Sequence, residues 1–329
     1  MNKVLFNVDE VKEKIAQGKK LILAGDESLL KELPKGQWIA GTSPYFMGEN
    51  GGICDKERIF VNELPSWITN INISHYDETN IADIYKDGPD NGFTILIIPA
   101  FSSTHFSFAL NAPKYDNFAQ CPLIGWIAGV DLNDVGKVKP KVISGAENSF
   151  IENGAVALHA SLPSNKYAEI NILNIFTQGS GDTIVFPEDG FSAVEAMING
   201  QKWNFAEYIS QNKIDTKLPL VADYCGAMIN TSFQSVDQAA KKVNFYAPVF
   251  KGMEYKLADP VGDYVTSFCQ KMPSESSDKI VFACNCILNY LYSELEGKHT
   301  GDVTGPFTFG EIAYQLLNQI MAYVAIEDL

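Results

Sequence analysis

Apolar and polar positions along this chain fall into short bursts whose period changes repeatedly. In residues 8–18, Val8, Val11 and Ile15 share one stripe while Asp9, Glu10, Lys12 and Glu13 lie outside it, which predicts a helix. "KLILAG" (20–25) is a short apolar run closed by glycine and reads as a buried strand. "ESLLKEL" (27–33) reads as a helix stopped by Pro34 and Gly36. Strands are expected at 38–41 and 58–64. "FTILIIPAF" (93–101) is the clearest central strand, because it is apolar on both faces. A helix should follow over 104–110, with Ser103 or Thr104 as its cap.

Further strands are expected at 122–129, 154–162 and 168–176, with Pro163-Ser164-Asn165 as a hairpin turn between the last two. Asn199-Gly200 in "MINGQKW" (197–203) signals another hairpin, and 204–212 a helix. The stretches 220–229, 242–250 and 279–284 read as strands. Asp259-Pro260 should open a helix over 261–272. Ile287, Leu288, Leu291 and Leu295 have helical spacing, and "QIMAYVAI" (319–326) reads as a closing strand. Consecutive strands dominate the middle. The pattern therefore favours an α+β fold, with mixed and largely antiparallel sheets plus helices, over a strictly alternating one.

Single cores stop growing near ~250–300 residues, so a chain of 329 residues is expected to form two domains. The expected division is 1–188 and 189–329, with the boundary inside 165–205. "IAGTSPYFMGEN" (39–50) echoes "VTGPFTFGEI" (303–312): each runs from an apolar strand through glycine, proline, hydroxyls and aromatics to Gly-Glu. The echo suggests an internally duplicated unit whose two loops meet at a seam, a common place for a ligand.

Charge narrows the function. The net charge is −15 and Arg58 is the sole arginine. Nucleic-acid binding relies on Lys and Arg neutralising phosphates, so neither nucleic acid nor an anionic membrane is an expected partner. No apolar run reaches the ~18 residues of a membrane helix. The first residues lack the apolar core of a signal peptide, so a cytoplasmic location is expected. Cys54, Cys121, Cys225, Cys269, Cys284 and Cys286 form no C-x-x-C pair and read as reduced thiols, without a metal site.

Phosphate loops and G-x-S-x-G are absent. His75 and His299 read as exposed loop residues and His159 as a half-buried strand residue. His105 lies in "IPAFSSTHF" (98–106), where a strand passes through hydroxyls into a helix. Backbone N–H groups there, with Ser103, could hold an anion or a carbonyl oxygen, although capping explains the hydroxyls equally well. His105 and His159 are the only histidines suited to ligate haem, and neither haem nor another cofactor is expected. Cys284 and Cys286 share a face if extended, with parallel Cβ vectors ~6.6 Å apart that suit no disulfide. They read as structural thiols, or as the nucleophiles of a thiol-dependent, hydrolase-like enzyme.

Several segments in order resemble FIST sensory domains. "LILAGDESLLKELPKGQWIAGTSPYFMGENGGICDKERIFVNEL" (21–64) is similar to their opening strand, helix and Gly-Glu loop. "CPLIGWIAGVDL" (121–132), "ENGAVALHASL" (152–162), "IVFACNC" (280–286) and "GPFTFGEI" (305–312) resemble successive later segments. The resemblance spans nearly the whole chain and implies an intracellular, non-enzymatic module that senses a small metabolite, amino-acid-like in character. Without an output domain of its own, it would act through a separate signalling protein. The candidate ligand-binding residues are Thr42, Ser43, Tyr45, Ser103, His105, Trp126, Asp131, Cys284, Phe307 and Glu311. Glu311 is expected either to contact ligand or to lie buried, accepting backbone N–H bonds. The chain departs from the family where an arginine should follow the Phe-Ser-Cys cysteine, since Asn285-Cys286-Ile287 stands there instead. The alternatives are the thiol enzyme and a ligand-free interaction scaffold.

Overall fold

A computed structural model describes residues 2–68, 70–224, 226–272 and 279–329. Cys225 lies outside the described residues. Strand exceeds helix by 43% to 16%, and the fold is α+β with mixed and antiparallel sheets.

Three β-α-β units organise the molecule. In each, a strand passes through a helix into a second strand that pairs with it in parallel. The first joins Leu21–Gly25 and Trp38–Thr42 through the helix Glu27–Leu30. The second joins Gly92–Pro99 and Leu123–Ala128 through Ser103–Asn111. The third joins Ile280–Cys286 and Gly305–Thr308 through Ile287–Tyr292. The local chemistry explains the helix starts. Asp26 and Ser102 turn a side-chain oxygen onto the backbone N–H groups of Ser28 and His105. The second cap is Ser102, not Ser103 or Thr104 as the sequence suggested. Likewise Asp263, not Asp259, caps Tyr264–Lys271. Neighbouring hydroxyls and carboxylates compete for a cap, and backbone direction decides among them.

Each unit seeds a six-stranded sheet, and two of these sheets recruit strands from both ends of the sequence. Glu311–Ala313 pairs with Leu123–Ala128. Lys166–Leu173 pairs with the final strand Met321–Asp328, and Tyr45–Gly48 pairs with Gly305–Thr308. The expected hairpin across Pro163-Ser164-Asn165 does not form. Ala155–Ser161 pairs with Asn70–Tyr76 and Gly92–Pro99, while Lys166–Leu173 crosses to the other sheet. The Asn199-Gly200 hairpin does form, joining Glu195–Ile198 to Gln201–Asn204 with both turn residues at positive φ (48° and 82°). The stretch 220–229 is a hairpin of two strands, Leu220–Tyr224 and Ala227–Thr231, and not one strand.

The largest apolar cluster lies where the three sheets meet. It joins Ile39, Ile97, Trp126 and Val156 to Phe282, Cys284 and Val324. Trp126 stacks on Phe282 at 5.3 Å and 22°. Within the second unit's sheet, Gly125 lets its strand lie close to Gly92–Pro99: a Cβ there would stand 1.7 Å from the Leu96 carbonyl oxygen.

Candidate functional site

The carboxyl ends of the three parallel pairs converge. Thr42 ends the first unit and Gly129 follows the second. The Thr42 hydroxyl donates to the Gly129 carbonyl at 2.7 Å, and Gly129 N–H donates back to the Thr42 carbonyl at 2.9 Å. The Ser43 hydroxyl donates to the carbonyl of Phe307 in the third unit at 2.9 Å. The two echoing segments thus lie side by side, with Met47 opposite Gly305 and Phe46 opposite Pro306. In α/β units, ligands favour the crevice beyond the carboxyl ends of parallel strands.

Two depressions open there, on either side of the segment 129–138. The first is a polar cleft of about 510 Å³ lined by Thr42, Ser43, Gly129 and charged groups of both signs. Asp26, Glu27, Asp131, Asp134, Lys31 and Lys139 line it, with Lys31 paired to Glu27 at 2.5 Å and Lys139 to Glu152 at 3.2 Å. Lys56 reaches Asp131 at 2.7 Å and Asp134 at 3.3 Å, and this pairing holds the Asp131 carboxyl below its usual range. Burial alone would raise Glu27, but Lys141 and Lys31, at 2.7 and 2.5 Å, overcome it and lower its pKa.

The second depression is aromatic, about 250 Å³, and lined by Phe101, His105, Phe106, Phe191, Tyr246 and Phe309 among others. A smaller cavity of about 90 Å³ adjoins it, shares Phe101, Tyr246 and Phe309, and reaches Cys286. Leu132 and Val135 line this side of the 129–138 segment, whereas Asp131 and Asp134 line the polar side.

The ten residues singled out from sequence divide among three environments. Thr42, Ser43 and Asp131 line the polar cleft. Tyr45 and Phe307 lie behind it. The Tyr45 hydroxyl accepts from Leu132 N–H at 3.1 Å, and burial pushes its pKa up to about 12. Tyr45 and Phe307 both pack on Tyr290. His105 lines the aromatic cavity, and Ser103 nearby donates its hydroxyl to Asn153 Oδ1 at 2.8 Å. Trp126 and Cys284 belong to the core, far from either opening in role: both are at most 1% exposed, and the Cys284 thiol donates to the Gly125 carbonyl at 3.3 Å. Both thiols of the 280–286 strand are free, and burial followed by the nearby Glu311 raises each well above the usual thiol range. A thiolate nucleophile is disfavoured in that setting.

Glu311 is fully buried, as expected. Its Oε1 lies 2.7 Å from the Thr308 hydroxyl and its Oε2 has no well-aligned partner among the described residues, while the Cys286 thiol and the backbone N–H groups of Ile320 and Glu311 lie close enough to favour the charged form weakly. Burial raises its pKa well above the carboxylate range, with the Thr308 bond acting in the opposite sense. Neither cleft is lined by both Gly-Glu loops. The first loop supplies Thr42, Ser43 and Pro44 to the polar cleft, and the second supplies Phe309 to the aromatic one.

Other readings shift as well. His75 sits in the strand Asn70–Tyr76, half-buried, and not in a loop; His299 is exposed. His159 is buried, with Tyr76 and Thr94 on its two ring nitrogens at 3.2 and 2.8 Å. Arg58 is engaged by Asp55 at 2.6 Å. Lys56, Lys139, Asp134 and the aromatics at 101, 191 and 246 were not foreseen. For Asp134 and Lys139 the one sequence signal is the density of charge over 131–141, which reads as ordinary solvated loop until the fold brings it against Asp26. Among the described residues, no group of three His, Cys, Asp or Glu side chains is placed to hold a metal, and no helix is long and apolar enough to cross a membrane.

Together these features define an α+β protein with two unlike clefts at one convergence of strand ends. Residues 6–327 match a family of unknown function (DUF6976), and the chain belongs to that family. No curated protein matches it.

Proposed function

We propose that this protein binds a small zwitterionic metabolite, amino-acid-like in character, in the polar cleft, and acts by binding and not by catalysis. The observation that carries the reading is the cleft itself. About 510 Å³ of space is lined by carboxylates and ammonium groups, charges of both signs, at the carboxyl ends of parallel strands. A site of one sign would suit an anion or a cation; opposed signs suit a ligand that bears both. Thr42 and Ser43 hold the cleft's floor across units, so occupancy is coupled to the seam between the echoing segments. The reading keeps the resemblance to FIST sensory domains as a proposal about role: a cytoplasmic sensor that passes its state to a separate signalling protein.

The experiment is metabolite extraction from natively purified protein, followed by thermal melts with each of the common amino acids. A ligand at 100 times its Kd should stabilise the fold by about 2.7 kcal/mol. Lys139→Ala, at an exposed position of the cleft, and Asp134→Asn, at a half-buried one, should abolish that shift while lowering the unliganded melt by no more than the loss of a surface ion pair. No co-purifying zwitterion and no shift from any amino acid would overturn the reading.

A further inference from the structure

The aromatic cavity has the parts of a second binding site. Phe101 and Phe309 meet edge to face at 6.4 Å, and Phe106 and Phe191 do so at 4.9 Å. Lys242 supplies a cation, and no Asp or Glu lines the cavity among the described residues. In a chain of net charge −15, that is a local reversal of sign.

His105 adds a directed donor. Its Nδ1 accepts the Phe101 N–H at 3.2 Å, so in the neutral ring the proton sits on Nε2. That Nε2–H is buried and has no partner among the described residues, and the residue as a whole is 4% exposed. Burial lowers the ring's pKa to about 4, so it is neutral at pH 7. A buried donor without an acceptor is unfavourable, and an incoming oxygen would relieve it. The Phe106 ring stacks on the imidazole at 5.3 Å and lines the cavity beside it.

Phe101 itself is held at φ 65°, a conformation that disfavours a bulky residue, and its ring is 46% exposed at the mouth. Glycine would serve the backbone better at this strand-to-helix turn. Strain kept at a cleft is a sign that the side chain is used.

We propose that this cavity binds a planar aromatic carboxylate, its ring against Phe101, Phe309 and Phe191 and its anionic oxygens on His105 Nε2–H and the Lys242 ammonium. The site is separate from the polar cleft and stands or falls independently of it. With 250 Å³ available, the ligand is of one or two rings.

Isothermal titration of the full chain with 2-naphthoate tests the assignment. Saturable one-site binding is expected, at least 10-fold weaker for the neutral naphthalene-2-methanol. Phe101→Gly relieves the backbone and should melt no lower than wild type, yet bind 2-naphthoate at least 10-fold more weakly. Lys242→Met, at a partly exposed strand position, should weaken it by a similar factor and carries the test if Phe101→Gly proves unstable. Absence of saturable binding by the wild type would overturn the proposal, as would affinity unchanged in Lys242→Met or equal affinity for the neutral alcohol.

Discussion

The Thr308 hydroxyl stands 2.7 Å from Glu311 Oε1 and 3.2 Å from the Asn285 carbonyl oxygen. A hydroxyl has one proton and cannot donate to both. If it donates to Asn285, it must accept from Glu311, which requires the protonated acid. Burial of the carboxyl points the same way. The chain of bonds is then Glu311 to Thr308 to Asn285.

Glutamine at 311 should therefore substitute well, since its amide can donate as the neutral acid does. Glu311→Gln is expected to match wild type near pH 5 and to exceed it at pH 8. A raised carboxyl pKa contributes stability below the unfolded value, and that contribution is lost as pH rises toward the folded value. Glu311→Ala leaves a cavity and a Thr308 hydroxyl oxygen without its donor, and should cost about 1–3 kcal/mol at pH 7. Urea melts of the three proteins at both pH values decide it; a Glu311→Gln protein weaker than wild type at pH 8 would show the carboxylate to be ionised.

His105 and His159 should give the opposite slope. Burial holds both at about 4, with Asp87 raising His159 slightly against that trend, compared with about 6.5 when unfolded. The folded state binds fewer protons in that window, so stability is full above pH 6.5 and falls as pH drops toward 4. Between pH 7 and 5 each ring should remove about 2 kcal/mol. Denaturant melts in the Glu311→Gln background isolate this slope; equal stability at the two pH values would contradict it.

Ser43→Ala removes the only side-chain bond from the first echo segment to the Phe307 carbonyl among the described residues, together with the acceptor of Tyr45 N–H. The expected loss is about 1–2 kcal/mol. A melting temperature identical to wild type would mean that the seam does not depend on it.

Gly305 explains one feature of the second echo. A Cβ there would lie 2.3 Å from the Ala283 carbonyl oxygen, a backbone atom that cannot step aside. Gly305→Ala should cost about 3 kcal/mol or more and is expected to lower soluble yield. Wild-type stability in that variant would show that the paired strands can separate there.

Brief alkylation of the native protein should label the exposed Cys54 and Cys269 and spare Cys284 and Cys286, which are each 1% exposed. Peptide mapping before and after unfolding reads the difference. Fast native labelling of Cys286 would indicate that the small apolar cavity opens to solvent.

What the sequence determined was local. Apolar runs closed by glycine marked the strands, and Asn199-Gly200 specified its hairpin because two positive φ angles need such residues. The echo of 39–50 in 303–312 correctly brought two distant segments together. Pairing between distant strands was not legible, since the backbone hydrogen bonds that set it carry no residue code. Hence Lys166–Leu173, beside a turn-like Pro163-Ser164-Asn165, pairs instead with the chain's last strand. The same limit applied to the site. Asp131 and Thr42 could be named from their segments. That Asp131 faces Asp26 across one cleft while Leu132 lines another, and that Glu311 is answered by a hydroxyl three residues away, depended on which sheet faces each side chain meets. Those faces are assigned when the three sheets pack, a step in which burial of the whole outweighs the preference of any one segment.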